Sequence, residues 1–538
     1  MNYPIELSFP NPLGDLLLTF NSTHPWPQRC STSGWQSLAG DPMGTPGLWT
    51  SPTSPDWKGF PTTSWQLPGW QFYLLGEAPP AATLTALDSL ARQQCGLNAQ
   101  DVSRSLNTWN RRFLLLAWEA SSRRWHAWTD RFGTLHAYYA WDGQRAALGT
   151  YAPAVAAAAS QRQLDWQGLS GFFALGFFPG EHTHYQDLHI LRPASHYSFE
   201  TDGRLACQEA TWRWQHQPDL SLSYGESLAE FAHIFQQVLL EKTAQGRIAL
   251  PISGGLDSRS TVAALTQFGQ PPDEHLWSYS YGYSPDSIET RIARQVAQAR
   301  RLPFQSYTIQ PYLFERIAPL LDYTEGYQDL TQARQMFIRQ DLAERSDVLV
   351  AALWGDVWLD EMGLASFLPG SLSNEQILAH TLKKMFKRGH GWLLENLANP
   401  QLGQADPKAV VTDLVRNELA AFENIEEPDF RVKAFKTWQW SHRWSLPPMR
   451  VFQSAAWPAL IFYDHRMVDF FSQIPTPWLS NRQFQIDYLK GYAPDLARIT
   501  WQVYDADLYH YQYYHTWQLP KRALKKAWRT LTRQTILQ

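Results

Sequence analysis

The stretch from residue 248 to 258, Ile-Ala-Leu-Pro-Ile-Ser-Gly-Gly-Leu-Asp-Ser, constrains this chain more than any other. A short apolar run of strand character ends in paired glycines, and helix-period sequence begins at about Ser258. The glycines are expected to let the backbone turn sharply. The unpaired N–H groups and positive dipole end of the new helix then face whatever lies above the strand. Small residues admit an anion to the backbone, and Ser253 and Ser258 can donate hydroxyl hydrogen bonds. Asp257 would repel a bare phosphate, so its carboxylate makes sense if Mg²⁺ bridges it to phosphate oxygens. No lysine follows the glycines, which excludes the Gly-Lys-Ser/Thr loop of the P-loop NTPases.

Downstream of this loop, helix and strand patterns alternate: helix 258–268, strand 276–281, helix 287–300, strand 304–309, helix 330–343 and strand 348–352. That is the signature of a parallel sheet built from βαβ units. A helix over 224–243 precedes it, with Leu228, Phe231, Ile234, Phe235, Val238 and Leu239 on one face. Upstream the character is different. Strands are expected at 112–118, 125–129, 144–150 and 196–199, a Thr201-Asp202-Gly203 turn comes after the last of these, and one helix is expected at 164–175. With 538 residues the chain has room for two domains, divided near Gln215 into 1–215 and 216–538.

The 46 basic and 50 acidic residues give a net charge of −4, which is no footprint for nucleic acid. No apolar run reaches the roughly 18 residues of a membrane span. Residues 1–6 lack the basic and apolar regions of a secretory signal. Cys30, Cys95 and Cys207 match neither a disulfide framework nor a zinc site. A cytoplasmic protein with no membrane or nucleic-acid partner is expected. The 26 tryptophans are expected mostly in cores, given the area each one buries.

Residues 253–258 match the pyrophosphate loop of the ATP-pyrophosphatases, and their surroundings resemble the asparagine synthetase (class B) and β-lactam synthetase superfamily. Further segments agree in order. Asp130-Arg131-Phe132-Gly133 with Tyr138-Tyr139, and Leu175 to Gly180 with Leu191-Arg192-Pro193-Ala194, resemble that family's N-terminal domain. Glu289 with Ala293, Val296 and Ala297 resembles the helix after the second sheet strand, and the Tyr463 to Phe470 segment resembles a late Leu-Asp-His-Arg-Leu-Val-Glu-Phe motif. The resemblance implies an α/β multidomain protein. It would pair an N-terminal Ntn-hydrolase-like αββα sandwich with a C-terminal adenine-nucleotide α-hydrolase-like (PP-loop) parallel sheet. ATP and Mg²⁺ would activate a small-molecule or peptide carboxylate as an acyl-adenylate, and an amine would attack it to give an amide, AMP and pyrophosphate. Ser253, Gly254, Gly255, Leu256, Asp257 and Ser258 would hold the nucleotide phosphates, Asp257 and Asp356 the metal, and Glu289 would order the site. Asp356 lies in a loop just past the strand 348–352 and facing Asp257, and Asp360 is the competing ligand.

The resemblance also breaks. The family's glutamine-hydrolysing members place a nucleophilic cysteine directly after the initiator methionine, where this sequence has Asn2. A charged Glu-x-Arg-x-Pro element aligns with Trp457-Pro458-Ala459-Leu460-Ile461. The late lysine-bearing segment reads Ile-Thr-Trp-Gln-Val-Tyr-Asp over 499–505, so Lys490 or the cluster from Lys521 to Arg529 would have to supply that charge. Trp354, Trp358, Trp457 and Trp501 would make a roomier, more apolar pocket if they face it. The expectation is an amide ligase without glutamine hydrolysis, as in the β-lactam synthetases and lasso-peptide cyclases. An ammonia-dependent asparagine synthase and a non-catalytic nucleotide-binding scaffold are the alternatives.

Overall fold

In strand β1 (Leu16–Phe20), Leu16, Leu18 and Phe20 pack to one side and Leu17 to the other, and both sides are buried. Side chains alternate across a strand, so a run buried at every position, Thr19 included, belongs between two layers. A computed structural model shows those layers. It describes residues 15–20, 35–39, 47–51, 61–93, 96–159, 163–266, 275–327, 330, 333–515, 519–520, 523–524 and 527–528. β1 lies in an antiparallel sheet with β2 (Gln36–Ala39), β3 (Gly47–Thr50), β8 (Tyr138–Trp141), β9 (Ala146–Gly149) and β10 (Leu188–Ile190), in the order β10-β8-β9-β1-β3-β2. A second antiparallel sheet contains β4 (Thr62–Leu67), β5 (Trp70–Gly76), β6 (Phe113–Glu119), β7 (Arg124–Thr129), β11 (Ser195–Phe199) and β12 (Leu205–Ala210).

The two sheets share a core of Leu16, Leu18, Phe20 and Leu48 against Leu75, Leu114, Leu116, Tyr197 and Phe199. Helices cover the outer faces. α1 (Ala81–Ala91) and α2 (Ala99–Leu106) pack Leu87 and Val102 on Phe72, Leu115 and Trp128 of the second sheet. α3 (Ala152–Ala159) packs Val155 on Leu17 and Tyr138 of the first. The stacking is helix, sheet, sheet, helix. Asp165 caps the next helix, α4 (Trp166–Leu175), which ends at Gly176 in a left-handed turn with φ 82°.

After α5 (Tyr224–Lys242) comes a wholly parallel sheet: β13 (Ile248–Pro251), β14 (Leu276–Gly282), β15 (Phe304–Thr308), β16 (Val348–Ala351) and β17 (Trp457–Leu460). Its order is β15-β14-β13-β16-β17, with α6 (Asp257–Leu265) and α7 (Ile288–Ala299) as crossover helices. The expected single helix over 330–343 is not formed. Arg334–Ile338 is a 3₁₀ turn leading into a helix at Arg339–Arg345, because Ala333 and Met336 are drawn into a small cluster with Ile309, Tyr312 and Leu320. Among the described residues no helix is long and apolar enough to cross a membrane.

The layers and the parallel sheet are tied together by the segments that carry the resemblance. Arg131 Nη1 lies 2.8 Å from Asp469, and the Phe132 ring meets Tyr463 and His465 edge-on. Arg192 donates both terminal nitrogens to Glu418 at 2.7 and 2.8 Å. At the sheet's edge, Arg112 Nη1 donates to the Pro458 carbonyl of β17 at 3.2 Å.

Candidate active site

The strand order sets where a ligand can enter. From β13 the chain winds outward through β14 and β15, then returns to the other side of β13 with β16 and β17. The loops leaving β13 and β16 therefore start from a topological switch point, the position where open α/β sheets ordinarily bind ligands in a crevice.

The loop after β13 is held by its own serines. Ser253 N–H donates to Ser258 Oγ (3.0 Å), Gly255 N–H donates to Ser253 Oγ (3.1 Å), and the two hydroxyls lie 3.2 Å apart. The backbone bends at Gly254, Gly255 and Leu256, as the paired glycines predict, with a positive φ at neither glycine. A Cβ on Gly254 would stand 2.3 Å from Gln502 Oε1. Leu256 precedes α6 and offers no side-chain cap, so the first-turn N–H groups of that helix are left to a ligand.

Asp257 opens α6, and its Oδ1 accepts from Gln485 Nε2 at 3.0 Å and Arg482 Nη1 at 3.3 Å. Across the crevice, Trp354 takes a left-handed φ of 78° and starts α8 (Gly355–Trp358), which carries Asp356 in its first turn. A Cβ on Gly355 would be 2.7 Å from the Phe462 ring and 3.2 Å from Asp257 Cγ, so the two loops meet only because residue 355 is glycine. Burial pushes the Asp257 carboxyl up to about 6; Arg482 and Gln485 oppose the shift, and the nearby charges of Asp356 and Asp360 add to it. Of those two carboxylates Asp356 acts the more strongly on Asp257, and Asp360 is engaged by Arg482 Nε at 3.4 Å.

Among the described residues no group of three or more His, Cys, Asp or Glu has metal-ligand spacing. Mg²⁺ held together with phosphates ordinarily takes only one or two protein carboxylates. Asp257 and Asp356 match that set, and their mutual repulsion is what a divalent cation would relieve. Glu289, in the first turn of α7, is brought to the same loop: burial raises its pKa, while Arg334 and the backbone N–H of Gly254 pull it back down.

Several residues here carry no sequence signal. Arg259 is fully buried and donates to the carbonyls of Leu496, Ile499 and Thr500 at 3.3, 2.8 and 2.8 Å, which pins the 499–505 segment beside the loop. That segment offers Gln502, whose N–H donates to the Gly254 carbonyl at 3.3 Å. Arg482 and Gln485 arrive from the start of α9 (Gln483–Tyr492); the local hint is Asn481, a residue tolerant of left-handed backbone. Lys490 lies over the Tyr509 ring, 5.5 Å from its centre, and the basic residues from Lys521 to Arg529 lie outside the described residues, as do Asn2, Cys30 and Cys95. The four tryptophans do not form one open pocket. Trp358 and Trp501 are buried in the main core, Trp354 donates to Thr437, and Trp457 carries the Arg112 guanidinium over its ring.

Residues 235–355, which span β13, its loop and Asp257, match the family model described as asparagine synthase. This match and the curated relative below support a likeness to the asparagine synthetase superfamily. A Methanocaldococcus jannaschii protein described as "Putative asparagine synthetase (glutamine-hydrolyzing) 2" is 23% identical over 194 residues, which cover 35% of this chain and 37% of that protein. The chain thus spans little more than a third of that curated relative's length. Among solved structures, B. subtilis glutamine phosphoribosylpyrophosphate amidotransferase complexed with ADP and GMP covers 57% of this chain, and 61% of its own chain is matched, at 9% identity and a TM-score of 0.21. For Acinetobacter baumannii glutamine-dependent NAD⁺ synthetase in complex with ADP the corresponding values are 48%, 53%, 14% and 0.20.

Proposed function

We propose that this protein is an ATP-dependent amide ligase that activates a carboxylate as an acyl-adenylate and releases AMP and pyrophosphate. The observation that carries the reading is the switch point of the sheet, where the loop bearing Asp356 packs on Asp257 and its charge acts on that carboxyl, beside a helix terminus with no side-chain cap. In this reading Ser253 to Ser258 cradle the pyrophosphate through backbone N–H and hydroxyl groups. Asp257 and Asp356 hold Mg²⁺, which supplies charge neutralisation at the phosphates. Glu289 orders the loop through Gly254. A substrate carboxylate oxygen attacks the α-phosphorus and pyrophosphate leaves; an amine then attacks the acyl carbon and AMP leaves.

Residues 1–215 serve as an Ntn-hydrolase-like scaffold and 216–538 as the ligase unit. The amine is taken without glutamine hydrolysis. Aspartate with ammonium is one substrate pair to offer among other carboxylates and amines. A nucleotide-binding scaffold is the second reading, favoured by the Arg482 guanidinium lying on Asp257 and Asp360.

Thermal unfolding with and without Mg-ATP tests the site before any substrate is known. At 100 times its dissociation constant a ligand adds about 2.7 kcal/mol. Wild type is expected to be stabilised and Asp257→Ala is not. Equal stabilisation of both overturns the assignment of Asp257. AMP release on adding a carboxylate and an amine then separates ligase from scaffold.

A further inference from the structure

The positive charge missing from the 499–505 segment is present elsewhere in the crevice. Arg482 immediately precedes α9, and its guanidinium spans two loops, with Nη1 3.3 Å from Asp257 and Nε 3.4 Å from Asp360. Charge-assisted bonds ordinarily run about 2.7–2.9 Å, so the group bridges the gap between the carboxylates without clamping either. The bonds from Arg482 and Gln485 to Asp257 both fall on Oδ1, and Oδ2 is not engaged by them.

The backbone is arranged to deliver this side chain. Asn481 and Arg482 are consecutive non-glycine residues in the left-handed region, with φ 57° and 58°. Such pairs persist where the surroundings over-determine them, and they cluster at functional sites. Here Ser480 Oγ is tied to Glu361 at 3.0 Å on one side, and Gln485 to Asp257 on the other. The neighbouring lysines act on other carboxylates, Lys436 on Asp356 and Lys433 on Asp429, Glu427 and Asp360. Lys433 is fully buried and donates to the carbonyls of Asp360 and Trp358 at 2.8 and 3.3 Å, and Lys436 lies over the rings of Trp354 and Trp440. The Arg482 and Asp257 side chains keep 21% and 26% of their surface accessible, so a ligand can reach both.

We infer that Arg482 is the exchangeable cation of this site: it neutralises Asp257 and Asp360 while no divalent cation is bound, and it turns to nucleotide phosphate oxygens once a divalent cation occupies the carboxylates. The inference rests on the reading of the crevice as an ATP site. Asp257 is common to the Arg482 contacts and to the proposed metal set of Asp257 and Asp356, so a divalent cation bound there competes with the guanidinium. The displaced fork has five planar donors suited to phosphate oxygens.

The test uses full-length protein and Mn²⁺ as the probe, with binding followed by electron paramagnetic resonance in the absence of nucleotide. Removing the competitor in Arg482→Ala is expected to tighten Mn²⁺ binding about tenfold or more, with Arg482→Lys between that variant and wild type. At saturating Mn²⁺ the alanine variant is expected to bind ATP at least about tenfold more weakly, with partial recovery in the lysine variant. Thermal unfolding checks that both variants are folded, and Arg482→Gln replaces the alanine variant if that one is not. Unchanged or weaker Mn²⁺ binding in a folded neutral variant overturns the exchange, as does binding by neither protein. Tighter Mn²⁺ with unchanged ATP affinity overturns the phosphate contact. The metal comparison needs no turnover, so failure of the ligase reading, seen as no AMP from any substrate, is a separate result.

Discussion

Glycine at position 355 is a spacing device. Its missing Cβ lets the loop after β16 press against Asp257, with Phe462 behind it. Alanine there would drive a methyl into an aromatic ring that packs against Phe235, and the ring has little room to withdraw. Overpacking of this kind costs about 1–3 kcal/mol. Gly355→Ala is therefore expected to lower the unfolding free energy in a urea titration by that amount and to weaken Mg-ATP stabilisation, because the two carboxylate loops are pushed apart. A variant as stable as wild type would show that the loops tolerate separation.

Gly254 makes the corresponding statement for whole elements, since its partner Gln502 comes from a segment that Arg259 pins in place from α6. Gly254→Ala alone is expected to weaken Mg-ATP binding about tenfold or more, and adding Gln502→Ala to restore part of the loss, read as a double-mutant cycle by titration calorimetry. Additive effects would mean that the loop and the late segment are independent. The contact also explains which parts of the site are legible in the sequence. β13, α6, β14, α7, β15 and β16 follow from local period and turn residues, whereas Asp356 is reached only through the family resemblance. Gln502, Gln485 and Arg482 reach the β13 loop from more than 200 positions away in sequence, and no local pattern encodes that. The 3₁₀ turn at Arg334–Ile338 is illegible for the same reason: a cluster formed by distant residues decides its geometry.

At the scale of the whole molecule the buried histidines set the response to acid. Burial holds His136, His196 and His465 down to about 3 and His126 and His216 down to about 4, all from an ordinary value of 6.5. A depressed base takes up fewer protons when folded than when unfolded. The stability it contributes is present above about 6.5 and is lost as pH falls through the folded values of 4 to 3. Glu325 works the other way: burial raises its carboxyl to about 7 against the pull of Arg450, so its contribution is lost as pH rises through that value. Asp257, pushed up to about 6, acts in the same sense as Glu325, so a variant carries the prediction: in His126→Gln the urea midpoint is expected to fall less between pH 6.5 and 4.5 than in wild type. An equal fall in the two proteins would mean that this ring can be charged without opening the core.

β17 ends the parallel sheet, and a sheet's last strand is a row of unmet donors and acceptors on which another chain can grow. Arg112 from the antiparallel layers lies over Trp457 and bonds the carbonyl of Pro458, a residue that itself has no N–H to offer. A residue of the first half of the chain thus occupies a hydrogen-bonding position on the edge strand of the second.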